Sequence, residues 1–171
     1  MLKKIKQNAL EKDVTKSLAG RDISKRNSVI SSLGFIVEED FYDDLEALQQ
    51  LGLALGIAEN NIAIFTFVGA KQKVPTLRQN YTCPKDFNFF GAIKNQTALD
   101  FLDTDFDALI GIHESANSYL KALIARSKAH FKIGFSGSDE RLYDLIIEID
   151  PIDENLRTLE LKKYLKILKK I

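Results

Sequence analysis

A strand–helix–strand pattern between residues 105 and 135 is the feature that most constrains the fold of this chain. Two short apolar runs, Ala108–Ile112 and Phe131–Phe135, flank a segment that opens at Ser115 and repeats apolar residues at a helical period. Runs of this length and composition are typical of buried strands. A crossover of this length returns the second strand parallel to the first, so the pattern predicts an α/β sheet protein.

Further strand and helix patterns extend this unit into a sheet that is covered by helices. Apolar runs at 33–37 and 62–68 predict two more strands. One helical pattern begins near Phe41, between these two runs, and another begins near Thr97, between the second run and the central unit. The order of elements is the one expected of a mostly parallel sheet with helices on its faces.

The predicted strand at 145–149 follows Phe135 after a short link. Since a parallel return needs a longer connection, we expect this strand to be an antiparallel edge strand. The fold class is then α/β, a Rossmann-like three-layer sandwich with a mostly parallel sheet and with helices at both termini. We expect an appended N-terminal helix and its connection over 1–27, and a single Rossmann-like domain over 28–171.

Length and composition bound the class of protein. A chain of 171 residues with 45% hydrophobic content can bury one sizeable core. The 24 basic and 24 acidic residues balance, which leaves no overall charge to attract nucleic acid. One cysteine, Cys83, excludes an internal disulfide, and no apolar run approaches the roughly 20 residues that span a bilayer. We therefore expect a soluble, cytoplasmic protein that does not bind nucleic acid.

Carboxylates follow the first predicted strand. Glu38, Glu39 and Asp40 stand between that strand and the helix that begins near Phe41. In a dinucleotide-binding fold this turn is glycine-rich, and its bare N–H groups receive a pyrophosphate. Carboxylates at a helix N-terminus shield these N–H groups. We therefore predict that NAD, FAD and ATP do not bind here in the Rossmann manner, and we expect no cofactor.

Polar side chains also follow the strands of the central unit. His113 comes directly after the first of these strands, where acid–base residues commonly lie in α/β proteins. It is a candidate acid or base together with Glu38 and Asp40, or else a structural cap of the strand. The candidate ligand-binding residues are Ser115, Asn117, Ser136, Gly137 and Ser138. Ser136, Gly137 and Ser138 are expected to form a turn. This turn either binds an anion through its backbone N–H groups or has no role beyond reversing the chain. No cluster of ligands with metal-binding spacing occurs, so we expect no metal site.

Three phenylalanines lie close together in the irregular region after the second strand. Phe87, Phe89 and Phe90 either cover the sheet as part of the core or form an exposed partner site. Aromatic side chains bury large apolar areas, which favours the core alternative.

Both ends of the chain are basic. Residues 1–26 carry eight Lys or Arg against three acidic residues, and residues 156–171 carry six against one. The C-terminal pattern places Leu161, Leu165 and Leu168 on one stripe and lysines on the other side. A helix packed on the sheet has this pattern, and so does a basic amphipathic helix that binds a membrane surface.

The central segment resembles part of a known enzyme family. The stretches 107–112, Leu120–Leu123 and Ala129–Phe135 are similar to a segment in the N-terminal Rossmann-like half of heptosyltransferase-type glycosyltransferases. Those enzymes hold the sugar-nucleotide donor mainly in a second, C-terminal domain, which a chain of this length does not accommodate. Their first loop carries a Gly-Asp motif, whereas 38–40 lacks the glycine. The resemblance implies the fold of one half of such an enzyme.

The chain as a whole, including the stretches 86–91 and 138–144, resembles an uncharacterised domain family associated with Bacteroidota. That family implies no established activity. We therefore interpret the chain as a non-catalytic binding or interaction module for an unknown protein or small molecule. One alternative is a small enzyme or ligand-binding protein that uses the strand carboxyl ends. The other is a peripheral membrane protein that uses the basic terminal helices.

Overall fold

The chain folds into a parallel sheet with helices on both faces, as the sequence predicts. The computed structural model describes residues 1–70, 73–74 and 77–171. Within these ranges the strands are β1 Leu33–Glu38, β2 Ile62–Phe67, β3 Tyr81–Thr82, β4 Ala108–Ile112, β5 Phe131–Phe135 and β6 Leu145–Ile147. The α-helices are α1 Leu2–Ala19, α2 Leu45–Ala54, α3 Gln96–Asp103, α4 Ser118–Arg126 and α5 Glu154–Ile167.

The six strands lie in the order β3-β2-β1-β4-β5-β6, and each pair of neighbours is parallel. This is the strand order of the doubly wound Rossmann fold. The order reverses between β1 and β4, so the loops that follow these two strands diverge. A crevice forms at such a switch point, outside the carboxyl ends of the strands.

The edge strand β6 is parallel to β5, so the prediction of an antiparallel edge strand is wrong. The register explains why a short link is sufficient. β6 pairs only with the last three residues of β5, from Ile133 with Leu145 to Phe135 with Ile147. After β5 the chain therefore has to run back along the strand direction by only two residues, roughly 7 Å, before β6 begins. It does not have to run back by the length of a whole strand. A link with a single 3₁₀ turn at Glu140–Leu142 covers this distance.

Strand side chains alternate between two cores, one on each face of the sheet. Ile36 and Leu109 pack with residues of α1, α3 and α4, whereas Phe35 and Ile110 pack with residues of α2 and α5. The first core includes Leu10 and Val14 of α1. The N-terminal helix is therefore docked on the sheet through buried contacts, and the division of the chain near residue 27 stays a prediction.

The C-terminal helix α5 packs on the other face of the sheet. Leu161 and Leu165 are buried there, whereas Leu168 is 46% exposed and does not continue the buried stripe. Lys170 is buried just beyond the helix, where its Nζ donates to the carbonyls of Arg26 (2.6 Å) and Ser28 (3.2 Å). None of the helices in the described ranges has the length and apolar composition needed to cross a bilayer.

Candidate functional site

His113 lies buried at the carboxyl end of β4, and both of its ring nitrogens are engaged. Nε2 is 2.8 Å from the hydroxyl of Tyr143, and Nδ1 is 2.8 Å from the carbonyl of Glu114. Since a carbonyl only accepts, Nδ1 carries the proton and the tyrosine hydroxyl donates to Nε2. Burial lowers the pKa of His113, which favours this neutral imidazole. The hydrogen bonds of His113 therefore go to Tyr143 and Glu114, and not to Glu38 or Asp40.

Two strand glycines allow Tyr143 to reach His113. A Cβ atom at Gly134 of β5 would lie 2.7 Å from Cδ2 of Tyr143, and one at Gly111 of β4 would collide with its hydroxyl. The tyrosine ring therefore lies directly on the backbone of two neighbouring strands. Tyr143 is a partner of His113 that no local pattern in the sequence predicts.

Glu38 connects the two strands that flank the switch point. One of its carboxylate oxygens accepts from the backbone N–H of Glu114 (2.8 Å), and the other accepts from Nδ2 of Asn117 (2.7 Å). Asn117 in turn caps α4, since its Oδ1 accepts from the N–H groups of Tyr119 (3.1 Å) and Leu120 (3.3 Å). The structure thus brings together two of the predicted site residues, Glu38 and Asn117. Both stabilise the loop between β4 and α4.

The start of α2 is capped by a carboxylate. Oδ1 of Asp44 accepts from the backbone N–H of Ala47 at 2.9 Å, which makes Asp44 the N-cap of this helix. Asp40 lies at the ends of β1 and β2, where a Cβ atom on Gly69 would collide with its carboxylate. Negative side chains therefore stand where a Rossmann pyrophosphate would bind, and the absence of dinucleotide binding stays a prediction.

The turn formed by Ser136, Gly137 and Ser138 lies in the link between β5 and β6. The N–H of Ser138 donates to the carbonyl of Phe135 (3.0 Å), and the Oγ of Ser138 accepts from the N–H of Phe135 (3.2 Å). Ser136 donates its hydroxyl to Glu148 (3.0 Å), which places a negative charge beside the turn. These contacts favour an ordinary turn over an anion site. Ser115 is exposed in the loop that precedes α4.

A crevice of about 510 Å³ opens at the carboxyl edge of the sheet. Three of the predicted site residues, Glu38, Asp40 and Asn117, line its sheet side. Its other wall is α1, from which Lys3 and Lys6 line the crevice. These lysines could not be predicted as site residues, because nothing local in the sequence shows that α1 covers this edge. The remaining predicted site residues, His113, Ser115, Ser136, Gly137 and Ser138, do not line it.

The phenylalanine cluster is divided between the core and the surface. Phe87 is 3% exposed, whereas Phe89 is 55% and Phe90 is 83% exposed. Residues 87–93 form a tight hairpin, which we call the aromatic hairpin, closed by an antiparallel bridge between Phe87 and Ile93. Phe87 is therefore part of the core, whereas the side chains of Phe89 and Phe90 are exposed to solvent.

Hydrogen bonds hold the aromatic hairpin in one conformation. Oδ1 of Asn88 accepts from the N–H groups of Phe90 (2.8 Å) and Ala92 (2.9 Å). Arg126 of α4 donates to the carbonyl of Gly91 (2.6 Å) and also pairs with Asp13 of α1. Gly91 has a φ of +79° and lies so close to α1 that a Cβ atom would be 3.5 Å from the helix backbone.

A groove of about 470 Å³ runs between the aromatic hairpin and α1, and we call it the α1 groove. Its residues include Ile5, Ala9, Lys12, Lys16, Phe89 and Phe90. Asp13 also lines it but is engaged by Arg126. Neither Lys12 nor Lys16 forms an ion pair with a residue in the described ranges. The groove therefore combines exposed aromatic surface with uncompensated positive charge.

These observations define a Rossmann-like α/β protein in which two of the acid–base candidates at the strand ends, His113 and Glu38, take part in hydrogen bonds of the fold. The chain belongs to DUF6913, a family of unknown function whose model matches residues 6–168 and so includes most of α1 and all of α5. No curated protein and no solved structure matches the chain. Across the part of the chain that the structure describes, no His, Cys, Asp and Glu residues are grouped so that they could hold a metal ion.

Proposed function

We propose that this protein is a non-catalytic interaction module that captures a partner protein through the aromatic hairpin and the α1 groove. The observation that carries the proposal is the exposure of Phe89 and Phe90 on a hairpin held by Arg126 and Asn88. Exposed aromatic residues are common anchors of protein interfaces. A hairpin that is already ordered loses little conformational entropy on binding, which favours affinity.

The charge beside the hairpin suggests the chemistry of the partner. Lys12 and Lys16 lie one helical turn apart along the α1 groove. A partner segment with apolar residues for the groove and with Asp or Glu residues for these lysines would match the surface. We therefore propose an acidic partner, with Phe89 and Phe90 as the apolar contacts.

The environment of His113 and Glu38 supports a binding function over catalysis. A general acid or base must reach the proton of a substrate directly or through one water. Both nitrogens of His113 and both carboxylate oxygens of Glu38 already have partners within the protein. Catalysis by either group would require these hydrogen bonds to be given up.

We place the module in the cytoplasm, and we propose that it binds neither nucleic acid nor, through its basic terminal helices, a membrane surface. Its sheet is proposed to be related to one half of a heptosyltransferase-type glycosyltransferase, in a chain of bacterial origin. The balanced charge of 24 basic and 24 acidic residues supports the view on nucleic acid.

Capture from native cell extract, quantified by mass spectrometry, tests the proposal. Phe89→Ser and Phe90→Ser should each reduce the captured partner by about tenfold, the effect of losing an interface anchor. Lys12→Glu combined with Lys16→Glu should reduce capture and remove its dependence on salt. Leu159→Ser, which changes a 60% exposed leucine on the opposite face, is the matched control.

His113→Gln distinguishes the module from an enzyme, provided that circular dichroism shows the variant to be folded. The module predicts that capture survives this change. Capture that is lost with His113→Gln and kept with Phe89→Ser would contradict the proposal.

A further inference from the structure

The crevice at the carboxyl edge of the sheet has the position and size of a small-molecule site. It lies at the switch point between β1 and β4, where ligands of open α/β sheets bind. Its volume of about 510 Å³ falls within the range of roughly 300–1,000 Å³ that ligand pockets occupy. The crevice is separate from the α1 groove, since Phe89 is the only one of the described residues that lines both.

One wall of the crevice is aromatic. The rings of Phe67 and Tyr119 are stacked, with centroids 5.4 Å apart and planes inclined by 22°. Phe87 packs edge-on against Tyr119 at 5.0 Å and supports it from the core. Phe67 itself is buried and Tyr119 is partly exposed, so Tyr119 is the ring of this stack that a flat, apolar ligand would contact.

The described residues that bring positive charge to the crevice, Lys3 and Lys6, lie on α1. Nζ of Lys6 donates to the carbonyl of Pro84 at 2.8 Å and stands 5.2 Å from the centre of the Tyr119 ring. An ammonium group has three donors, so Lys6 keeps hydrogen-bonding capacity for a ligand. Lys3, one turn earlier, lines the same crevice and makes no ion pair with any residue that the structure describes.

The negative charge lies on the opposite side, on the strand ends. Glu38 at the end of β1 and Asp40 just after it line the crevice, and both oxygens of Glu38 accept hydrogen bonds from the loop before α4. An anionic ligand group is therefore attracted toward α1 and repelled from the strand ends. This arrangement fixes the direction in which such a ligand would lie.

We infer that this crevice binds a small planar aromatic molecule with an anionic group, which faces Lys3 and Lys6 while the ring lies against Tyr119. The anion would lie against α1 and not at the start of α2, which Asp44 caps. The inference does not depend on the interaction surface proposed above.

The fluorescent aromatic sulfonate 8-anilinonaphthalene-1-sulfonate is a suitable probe, because it combines fused rings with one negative charge. We expect saturable binding of one molecule per chain. Lys3→Glu should weaken binding by about tenfold, since it exchanges an attraction for a repulsion. Lys12→Glu makes the same charge change on the same helix outside the crevice and should leave the affinity within about twofold.

Two further comparisons locate the bound probe. Ala116→Trp, which places a large side chain in the crevice, should abolish binding, whereas Phe90→Ser should leave it unchanged. The uncharged analogue N-phenyl-1-naphthylamine should bind at least about tenfold more weakly, because it lacks the anionic group. No saturable binding of the sulfonate, equal binding of the two compounds, or binding that Lys3→Glu and Ala116→Trp leave intact would overturn the inference. Loss with Phe90→Ser would assign the probe to the aromatic hairpin and would equally overturn it.

Discussion

The hydroxyl of Tyr143 lies 2.8 Å from Nε2 of His113, although 30 residues separate the two along the chain. The contact joins the end of β4 to the link that leads to β6. It depends on Gly111 and Gly134, whose missing side chains leave room for the tyrosine ring. The histidine at this strand end is therefore held by the fold in one orientation and one tautomer.

Removal of the Tyr143 hydroxyl should destabilise the protein. Tyr143→Phe keeps the ring on the two glycines but leaves Nε2 of His113 buried without a donor. We expect a loss of about 1–3 kcal/mol in the free energy of unfolding, measured by urea denaturation at pH 8. Nitrogen chemical shifts of the His113 ring should show protonated Nδ1 in the unmodified protein. A proton on Nε2 would contradict the hydrogen-bond assignment.

The lowered pKa of His113 predicts a loss of stability in mild acid. The unfolded chain takes up a proton near the ordinary value of 6.5, whereas the folded protein does so only at a lower pH. The unfolded state therefore binds more protons between these two values, and stability falls as pH decreases below about 6.5. His113→Gln should flatten this part of the curve when unfolding is measured at several pH values from 8 to 5. Parallel curves would show that His113 is not the titrating group.

Because Lys132 is buried, we expect the free energy of unfolding to increase at alkaline pH. Its side chain is fully buried in β5, and Nζ donates to the carbonyls of Ile124 (2.5 Å) and Ala125 (3.3 Å) near the end of α4. Burial lowers the pKa of Lys132 from 10.5 to about 7. The unfolded state thus binds more protons between pH 7 and 10.5, and stability should rise with pH across this window.

Lys132→Met removes this titration while retaining most of the side-chain volume. Relative to the variant, the unmodified protein should gain on the order of 2–4 kcal/mol between pH 7 and pH 10. Chemical denaturation of both proteins at these two pH values measures the difference. A constant difference in the free energy of unfolding would contradict the assignment of a low pKa to Lys132.

The C-terminal helix offers a matched pair of leucines. Leu165 is 1% exposed in the core beneath α5, whereas Leu168 is 46% exposed. Leu165→Ala should lower the free energy of unfolding by about 2–5 kcal/mol, because it leaves a cavity in the core. Leu168→Ala should cost less than about 1 kcal/mol. Similar losses at both positions, in thermal or urea unfolding, would show that α5 packs differently.

The fold was largely predictable because its buried strands have a clear pattern. β4 is a continuous apolar run and β5 is apolar except for Lys132, and the two flank a helical period, as is usual for buried parallel strands. The direction of β6 was not predictable, since it depends on pairing with only the last three residues of β5. β3 was missed because two residues, Tyr81 and Thr82, are too few to show a period.

The candidate site was less predictable than the fold. Glu38 ends β1 and Asn117 comes soon after β4, so the rule of strand carboxyl ends predicted that both lie at one edge of the sheet. Lys3 and Lys6 reach the crevice only because α1 docks over that edge, a long-range contact that no local pattern shows. The sequence predicts an aromatic segment at 87–90 but not which of its side chains are buried. That Phe87 is buried and Phe90 is exposed follows from the closed hairpin.

The most direct test of the interaction module is photo-crosslinking inside the native cell. A benzophenone amino acid placed at Phe90 should yield one dominant covalent adduct with an acidic partner protein, identified by mass spectrometry. The same amino acid at Leu159, an exposed position on the opposite face, should give none above background. The adduct at position 90 should also disappear when Lys12→Glu and Lys16→Glu are added. Adducts of equal yield at positions 90 and 159, or none at position 90, would contradict the account.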